Sequence, residues 1–147
     1  MARAVEVTEV SRNGNTPLTP LTKYIGVKSI INIVEDGTGS IVVTEGKAHN
    51  VERVVEEDPA TLQAAIDGAE TAGVNQVNYD VLNIVGYQED NFETRPQTFL
   101  IDRINEFRED PTDNTRTRIL YNEEHRQEMV VYVVDETVAN VLADVNA

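Results

Sequence analysis

Apolar and polar positions alternate over Ala4–Val10, where Val5 and Val7 stand against Glu6 and Thr8, the period-two pattern of a half-buried strand. Arg12-Asn13-Gly14-Asn15 carries turn chemistry, since Asn-Gly reaches positive φ at little cost. The two prolines of Thr16–Thr22 forbid a regular ladder and predict an extended edge segment. Tyr24–Val34 is apolar and β-branched and reads as one strand, turned at Asp36-Gly37-Thr38-Gly39 into Ser40–Thr44. Glu45-Gly46-Lys47 turns again, and His49–Glu56 reads as a further strand. A helix then begins, with Asp58 placed to cap it and Pro59 at its first position. Leu62, Ala65, Ile66 and Ala69 share one helical face, and Gly68 or Gly73 ends the helix.

The stretch VERVVEEDPATLQAAI at Val51–Ile66 returns without a gap as VVYVVDETVANVLADV at Val130–Val145. Val51, Val54, Val55, Glu57, Ala60 and Ala64 recur as Val130, Val133, Val134, Glu136, Ala139 and Ala143. Upstream, Val7, Val10, Leu18, Ile25, Val27, Ile30, Ile33, Glu35 and Asp36 fall on Val81, Ile84, Phe92, Phe99, Ile101, Ile104, Phe107, Glu109 and Asp110. An apolar register kept without identity is the mark of a preserved core. The difference falls in the hairpin turn, where Gly37–Ser40 grows into Pro111–Ile119. Phe99–Arg108 also suits a helix, but its alignment with Ile25–Val34 favours strand. The second helix shows Val138, Val141, Leu142 and Val145 on one face, with Asp135 or Thr137 as cap. The predicted class is therefore α+β: a small antiparallel sheet plus C-terminal helix, ββββα, duplicated in tandem and packed as a pseudo-two-fold pair. The first copy spans residues 1–69, a small-residue linker 70–77, and the second copy 78–147, with the two forming one compact domain or two.

The chain is 147 residues long with a formal net charge of −14 spread over both halves. Without a basic patch it is not expected to bind nucleic acid phosphates or anionic membranes. Cysteine is absent, which excludes disulfides, thiolate nucleophiles and cysteine-based zinc sites. MARAVEVTEV has no apolar signal core and no stretch reaches membrane-spanning length, so a soluble chain without a cleaved signal is expected.

The search for chemistry yields no catalytic, metal or cofactor site. His49 and His125 have no second His or Cys at ligand spacing and read as surface histidines. Glu109–Asn114 is the densest run of oxygen ligands, but it lacks the spacing of a calcium loop and reads more plainly as a solvated hairpin tip. Gly37-Thr38-Gly39-Ser40 precedes a strand and follows two acids, the wrong setting for phosphate. Glu56, Glu57, Asp58, Asp135 and Glu136 lie at helix starts, where the helix dipole explains them. Ser11, Ser29 and Ser40 have no nearby histidine for a triad.

Two stretches suit an interaction protein. The arm Asn13–Lys23 can lie along a neighbouring chain as an added strand or close the edge of its own sheet, with Thr16, Pro17, Leu18, Pro20 and Leu21 as contacts. The enlarged tip Asp110–Arg118 offers Asp113, Asn114, Arg116 and Arg118 as a mixed-charge docking device. The succession of strand, VKSIINIVEDGTGSIVVTEG hairpin and VERVVEEDPATLQAAI resembles the small structural proteins of tailed-bacteriophage virions. That resemblance implies a non-enzymatic capsid decoration or cement protein, made in the host cytoplasm and located in the virion. Its implied partners are the major capsid protein or other virion proteins, with self-association possible and no nucleic acid, membrane or cofactor. A soluble acidic regulator or inhibitor that mimics nucleic acid is the alternative, though acids gathered at turns and helix starts fit it less well. A small-ligand or enzyme domain would need a pocket between the copies, for which the sequence offers few convergent residues.

Overall fold

The computed structural model of the chain describes residues 3–10, 12–13, 16–17, 20–67, 75–84 and 92–147. The first half contains β1 (Ala4–Glu9), β2 (Leu21–Gly26), a 3-10 turn (Val27–Ser29), β3 (Ile30–Asp36), β4 (Gly39–Thr44), β5 (Val51–Val55) and α1 (Pro59–Asp67). The second contains β6 (Gln76–Ile84), β7 (Phe92–Leu100), a 3-10 turn (Ile101–Arg103), β8 (Ile104–Asp110), β9 (Asp113–Tyr121), β10 (Val130–Val134) and α2 (Val138–Val145). The fold is mostly antiparallel sheet with two helices, α+β as expected. These strands form one ten-stranded sheet in the order β3-β4-β5-β1-β2-β8-β9-β10-β6-β7. Arg12–Asn13 and Thr16–Pro17 make a separate small ribbon.

The sheet cannot be flat. In each half the two outermost of five strands are consecutive in the chain and joined by one three-residue turn. Five flat strands would separate those edges by about 19 Å, whereas a three-residue 3-10 link advances only about 8 Å. Each half therefore curls towards a barrel around its own core. Val5, Val7, Ile25, Val42, Val55 and Leu62 fill the first. The second is larger, with Phe99, Phe107, Ile119, Val134, Val141 and Val145 among its buried members. Ala4 and Tyr24 of the first half pack in the second core, so the halves share packing as well as a sheet.

The helix expectations are met within the described residues. Asp58 accepts from Thr61 N–H at 2.7 Å and Thr137 from Asn140 N–H at 3.3 Å, capping α1 and α2. Leu62, Val141 and Val145 are buried, with Ala65, Ile66, Val138 and Leu142 packed beside them. Ala69, Gly68, Gly73 and residues 70–74 of the linker lie outside the described residues, and Gln76 and Val77 already belong to β6.

Four expectations are corrected. Tyr24–Val34 is not one strand: it breaks at Val27–Ser29, where Ser29 Oγ donates to the Gly26 carbonyl at 2.7 Å. Phe99–Arg108 breaks likewise at Ile101–Arg103, neither one strand nor a helix, so each half has five strands rather than four. The second hairpin has no long tip, because Asp110 pairs with Asp113 as Asp36 pairs with Gly39, leaving a two-residue turn in both. The extra residues Asn114–Arg116 form a bulge within β9 instead, since Glu109 next pairs with Thr117. Nor are the halves packed about a strict two-fold axis. Such an axis would pair β7 with β3 wherever it pairs β2 with β8, and among the described residues only β2 and β8 are paired.

Candidate interaction surface

The residues nominated from the sequence divide. Thr16 and Pro17 lie in the small ribbon, while Leu18 lies outside the described residues. Pro20 and Leu21 are exposed, but Leu21 opens β2 rather than ending a free arm. The arm nominated as Asn13–Lys23 thus runs into a central strand: Lys23 Nζ meets Glu9 at 2.9 Å and Glu106 at 3.0 Å. Leu21 and Arg118 do come together, sharing a shallow hollow of about 240 Å³ with Lys23, Glu106, Arg108, Leu120 and Val131.

The charges of the second hairpin are largely engaged locally. Asp110 is buried and accepts from the Thr112 N–H and hydroxyl at 3.2 and 3.1 Å, with Arg118 at 3.3 Å. Asp113 accepts from the Thr115 hydroxyl and N–H at 2.6 and 2.9 Å and faces Arg116 at 3.4 Å. Those bonds from Thr115 hold its carboxyl below the usual carboxylate range. Asn114 is exposed. These contacts brace the bulge, a structural duty for residues nominated as docking groups.

The central joint holds a polar cluster that the sequence did not reveal. Arg53, 3% exposed, donates to Thr44 Oγ1 and Asn105 Oδ1, each at 2.6 Å, and lies 3.3 Å from Glu106. Asn105 also donates to the Glu45 carbonyl at 3.0 Å. It sits at a register shift between Ile104 and Glu106, which frees its side chain to reach across the joint. Tyr24 stacks on Phe107 at 5.2 Å beside this cluster. Burial, followed by the nearby carboxylates of Glu6 and Glu109, raises the Tyr24 pKa.

The two ends of the sheet are the features most available for binding. On the edge strand β3, Ile31 and Val34 are 55% and 43% exposed, and on the opposite edge β7 Leu100 is 42% exposed. An edge strand carries unpaired backbone donors and acceptors, and exposed β-branched side chains leave it open to pairing. Edge β7 carries Arg95 and Pro96, residues that blunt an edge, whereas β3 has neither Lys nor Pro. A signal was present in the sequence: Ile30-Ile31 breaks the alternation, so one isoleucine must face outward if the other faces in.

His49 and His125 are exposed loop residues. Residues 46–52, which include His49 and the start of β5, face Leu120 and residues 127–129 across an open groove of about 500 Å³. Among the described residues no three His, Asp or Glu side chains converge on a possible metal site, the Glu109–Asn114 run included. Among them, too, no helix is long and apolar enough to cross a membrane. Comparison of the chain with protein-family models, curated proteins and solved structures finds no match.

Proposed function

We propose that this chain is a non-enzymatic structural protein of a phage virion, of the decoration or cement type, and that it arose by tandem duplication of a five-stranded sheet-and-helix module. The observation that carries the assembly role is the edge strand β3, which has neither Lys nor Pro and holds Ile31 and Val34 in solvent. Such an edge on an acidic chain is a docking strand, kept from random aggregation by charge repulsion. The partners in this reading are the major capsid protein or other virion proteins, further copies of this chain at the β3 edge among them.

Support for duplication comes from matching hydrogen bonds. Ser40 Oγ donates to the Glu57 carbonyl at 2.8 Å, and Thr117 Oγ1 to the Glu136 carbonyl at 2.7 Å. The bulge after Ile30 has its counterpart after Ile104, and the Asp58 cap its counterpart in Thr137. The pairing also moves the sequence alignment of the first strand. Ala4 lies opposite Gly26 and Gln76 opposite Leu100, so Val5 and Val7 answer to Val77 and Tyr79, rather than Val7 to Val81. A slip of two residues keeps the same face, which is why alternation alone missed it.

A nucleic-acid mimic would instead need free carboxylates lined along one face. Glu57 here accepts from Thr8 N–H at 2.6 Å, while Glu9 and Glu106 are paired with Lys23. Mass spectrometry of purified particles from the lysed host is the test. Stoichiometric presence in hundreds of copies is expected for a shell protein, and absence from particles refutes the assignment.

A further inference from the structure

The inner joint and the two outer edges are built from corresponding strands. β2 is covered by β8, while β7, the counterpart of β2, and β3, the counterpart of β8, are each paired on one side only among the described residues. We infer that the partner of these edges is a second copy of this chain, with β7 of one molecule pairing antiparallel to β3 of the next. The inference rests on the duplication reading above. Each molecule offers one edge of each kind, so the contact is heterologous and either closes into a ring or runs on as a filament.

The side chains change together in the way this pairing requires. At the inner joint Lys23 and Arg53 face Glu106 and Asn105. The corresponding residues are Gln97 on β7 and Tyr132 on β10, whose ring packs on Phe99 and Tyr121, and on the other side Asn32 and Ile31 on β3. At these positions the cations have gone from one side and the anion from the other, so an ion pair becomes an amide pair. The bulge residue has likewise become apolar as the guanidinium opposite it became a tyrosine ring.

Register carries the argument further. Glu106 lies opposite Ile25 and Phe107 opposite Tyr24 at the inner joint. The same register places Asn32 opposite Phe99 and Ile33 opposite Thr98, and, further along, the exposed Arg95 opposite Asp36. Pro96 lies beyond the two registered pairs and does not interrupt them. One difference sets the geometry. Leu100 stands where Gly26 stands, and a Cβ at Gly26 would lie 2.1 Å from the Ile104 carbonyl oxygen. The outer joint therefore parts at that end, laying the exposed Leu100 over the incoming Ile31.

The test is sedimentation velocity of the full chain over a concentration series, in low salt and in about 1 M NaCl, where the Debye length falls to about 3 Å and charge repulsion is screened. Species above monomer are expected, more of them at high salt. One variant blocks β3 with Ile31→Glu and Val34→Glu, and another blocks β7 with Arg95→Glu and Leu100→Glu, all at exposed positions. Each alone is expected to lose every species above monomer, and an equimolar mixture to form a one-to-one dimer that grows no further. Circular dichroism confirms the fold, and Val34→Glu alone replaces the first variant where it does not fold. Wild type that stays monomeric at high concentration and high salt overturns the proposal. Self-association that persists in either blocked variant also overturns it, because like edges are then pairing. Absence from virions would refute the proposed function while leaving this result standing, and a strict monomer found in virions would do the reverse.

Discussion

Gly26→Ala tests the central joint most directly, because what a methyl group meets there is backbone and cannot swing away. The added Cβ would lie 2.1 Å from the Ile104 carbonyl oxygen and 3.2 Å from its carbon. A carbon–oxygen contact settles at about 3.3–3.6 Å, so β2 and β8 must part by roughly 1 Å. Only two residue pairs register the strands there, Ile25 with Glu106 and Tyr24 with Phe107. Losing on the order of two hydrogen bonds at about 1 kcal/mol each, with packing strain of about 1–3 kcal/mol, gives about 3–5 kcal/mol. For a chain of 147 residues that lowers Tm by roughly 6–20 °C. Urea and thermal unfolding followed by circular dichroism measure the loss, and near-ultraviolet signals report the Tyr24–Phe107 stack. Hydrogen exchange should quicken first in β2 and β8, ahead of the two cores. Gly37→Ala is the control: nothing lies within 4 Å of its Cβ, and its φ of 61° is the only strain, about 1 kcal/mol. A Gly26→Ala protein within about 0.5 kcal/mol of wild type would refute the close approach and the joint built on it.

Arg53→Ala strips Asn105, Thr44 and Glu106 of a buried donor and should cost about 3–5 kcal/mol, read as a shift in the urea midpoint. Asn146→Ala removes the carboxamide oxygen that accepts from the N–H groups of Arg3 and Ala4 at 2.8 and 3.0 Å. A loss of about 1–3 kcal/mol is expected, with faster exchange at the start of β1. In alkali the tyrosines set the response. Burial and then the hydrogen bond to Asp144 raise the Tyr79 pKa, while Tyr24 and Tyr132 shift the same way. The unfolded chain releases these protons near pH about 10 while the native state keeps them, so the contribution is full below that pH and falls as pH rises through it. Urea midpoints from pH about 8 to 11 should decline, and Tyr79→Phe should remove part of the slope.

The elements legible in the sequence were those with one uninterrupted period. Ala4–Glu9 and both helices stand where alternation, caps and apolar faces placed them. The 3-10 turns were not legible, because Val27 and Ile101 are apolar and continue the β-branched runs around them. The first turn follows Gly26, where the Ile104 carbonyl leaves no room for a side chain, a contact that no local window contains. The bulge in β9 was misread as a long tip for a related reason: Thr115 and Thr117 look like loop, yet Thr117 is buried and pairs with Glu109. Partner residues fared worst. Arg118 was nominated for its charge and found bound to Asp110, while Ile31 was overlooked because the broken alternation at Ile30-Ile31 marks an outward isoleucine but not an edge until the strand order is known.

The strand order also poses a problem that the buried charges answer. If the halves are copies, β2 can pair with its own β8 or with β3 of another molecule, since β3 and β8 correspond. Pairing with β3 would set Lys23 and Arg53 against Asn32 and Ile31 in place of Glu106 and Asn105. Arg53 would then be buried at the joint without Glu106, at about 3–5 kcal/mol for a broken buried pair, while Lys23 would keep Glu9 alone. The outer edge β7 carries Gln97, with Tyr132 on β10 at the place of Arg53, and makes no such demand. A buried ion pair adds little net stability over apolar packing, and its value here is selective. It directs β2 to β8 within one chain and leaves β3 for β7 of the next.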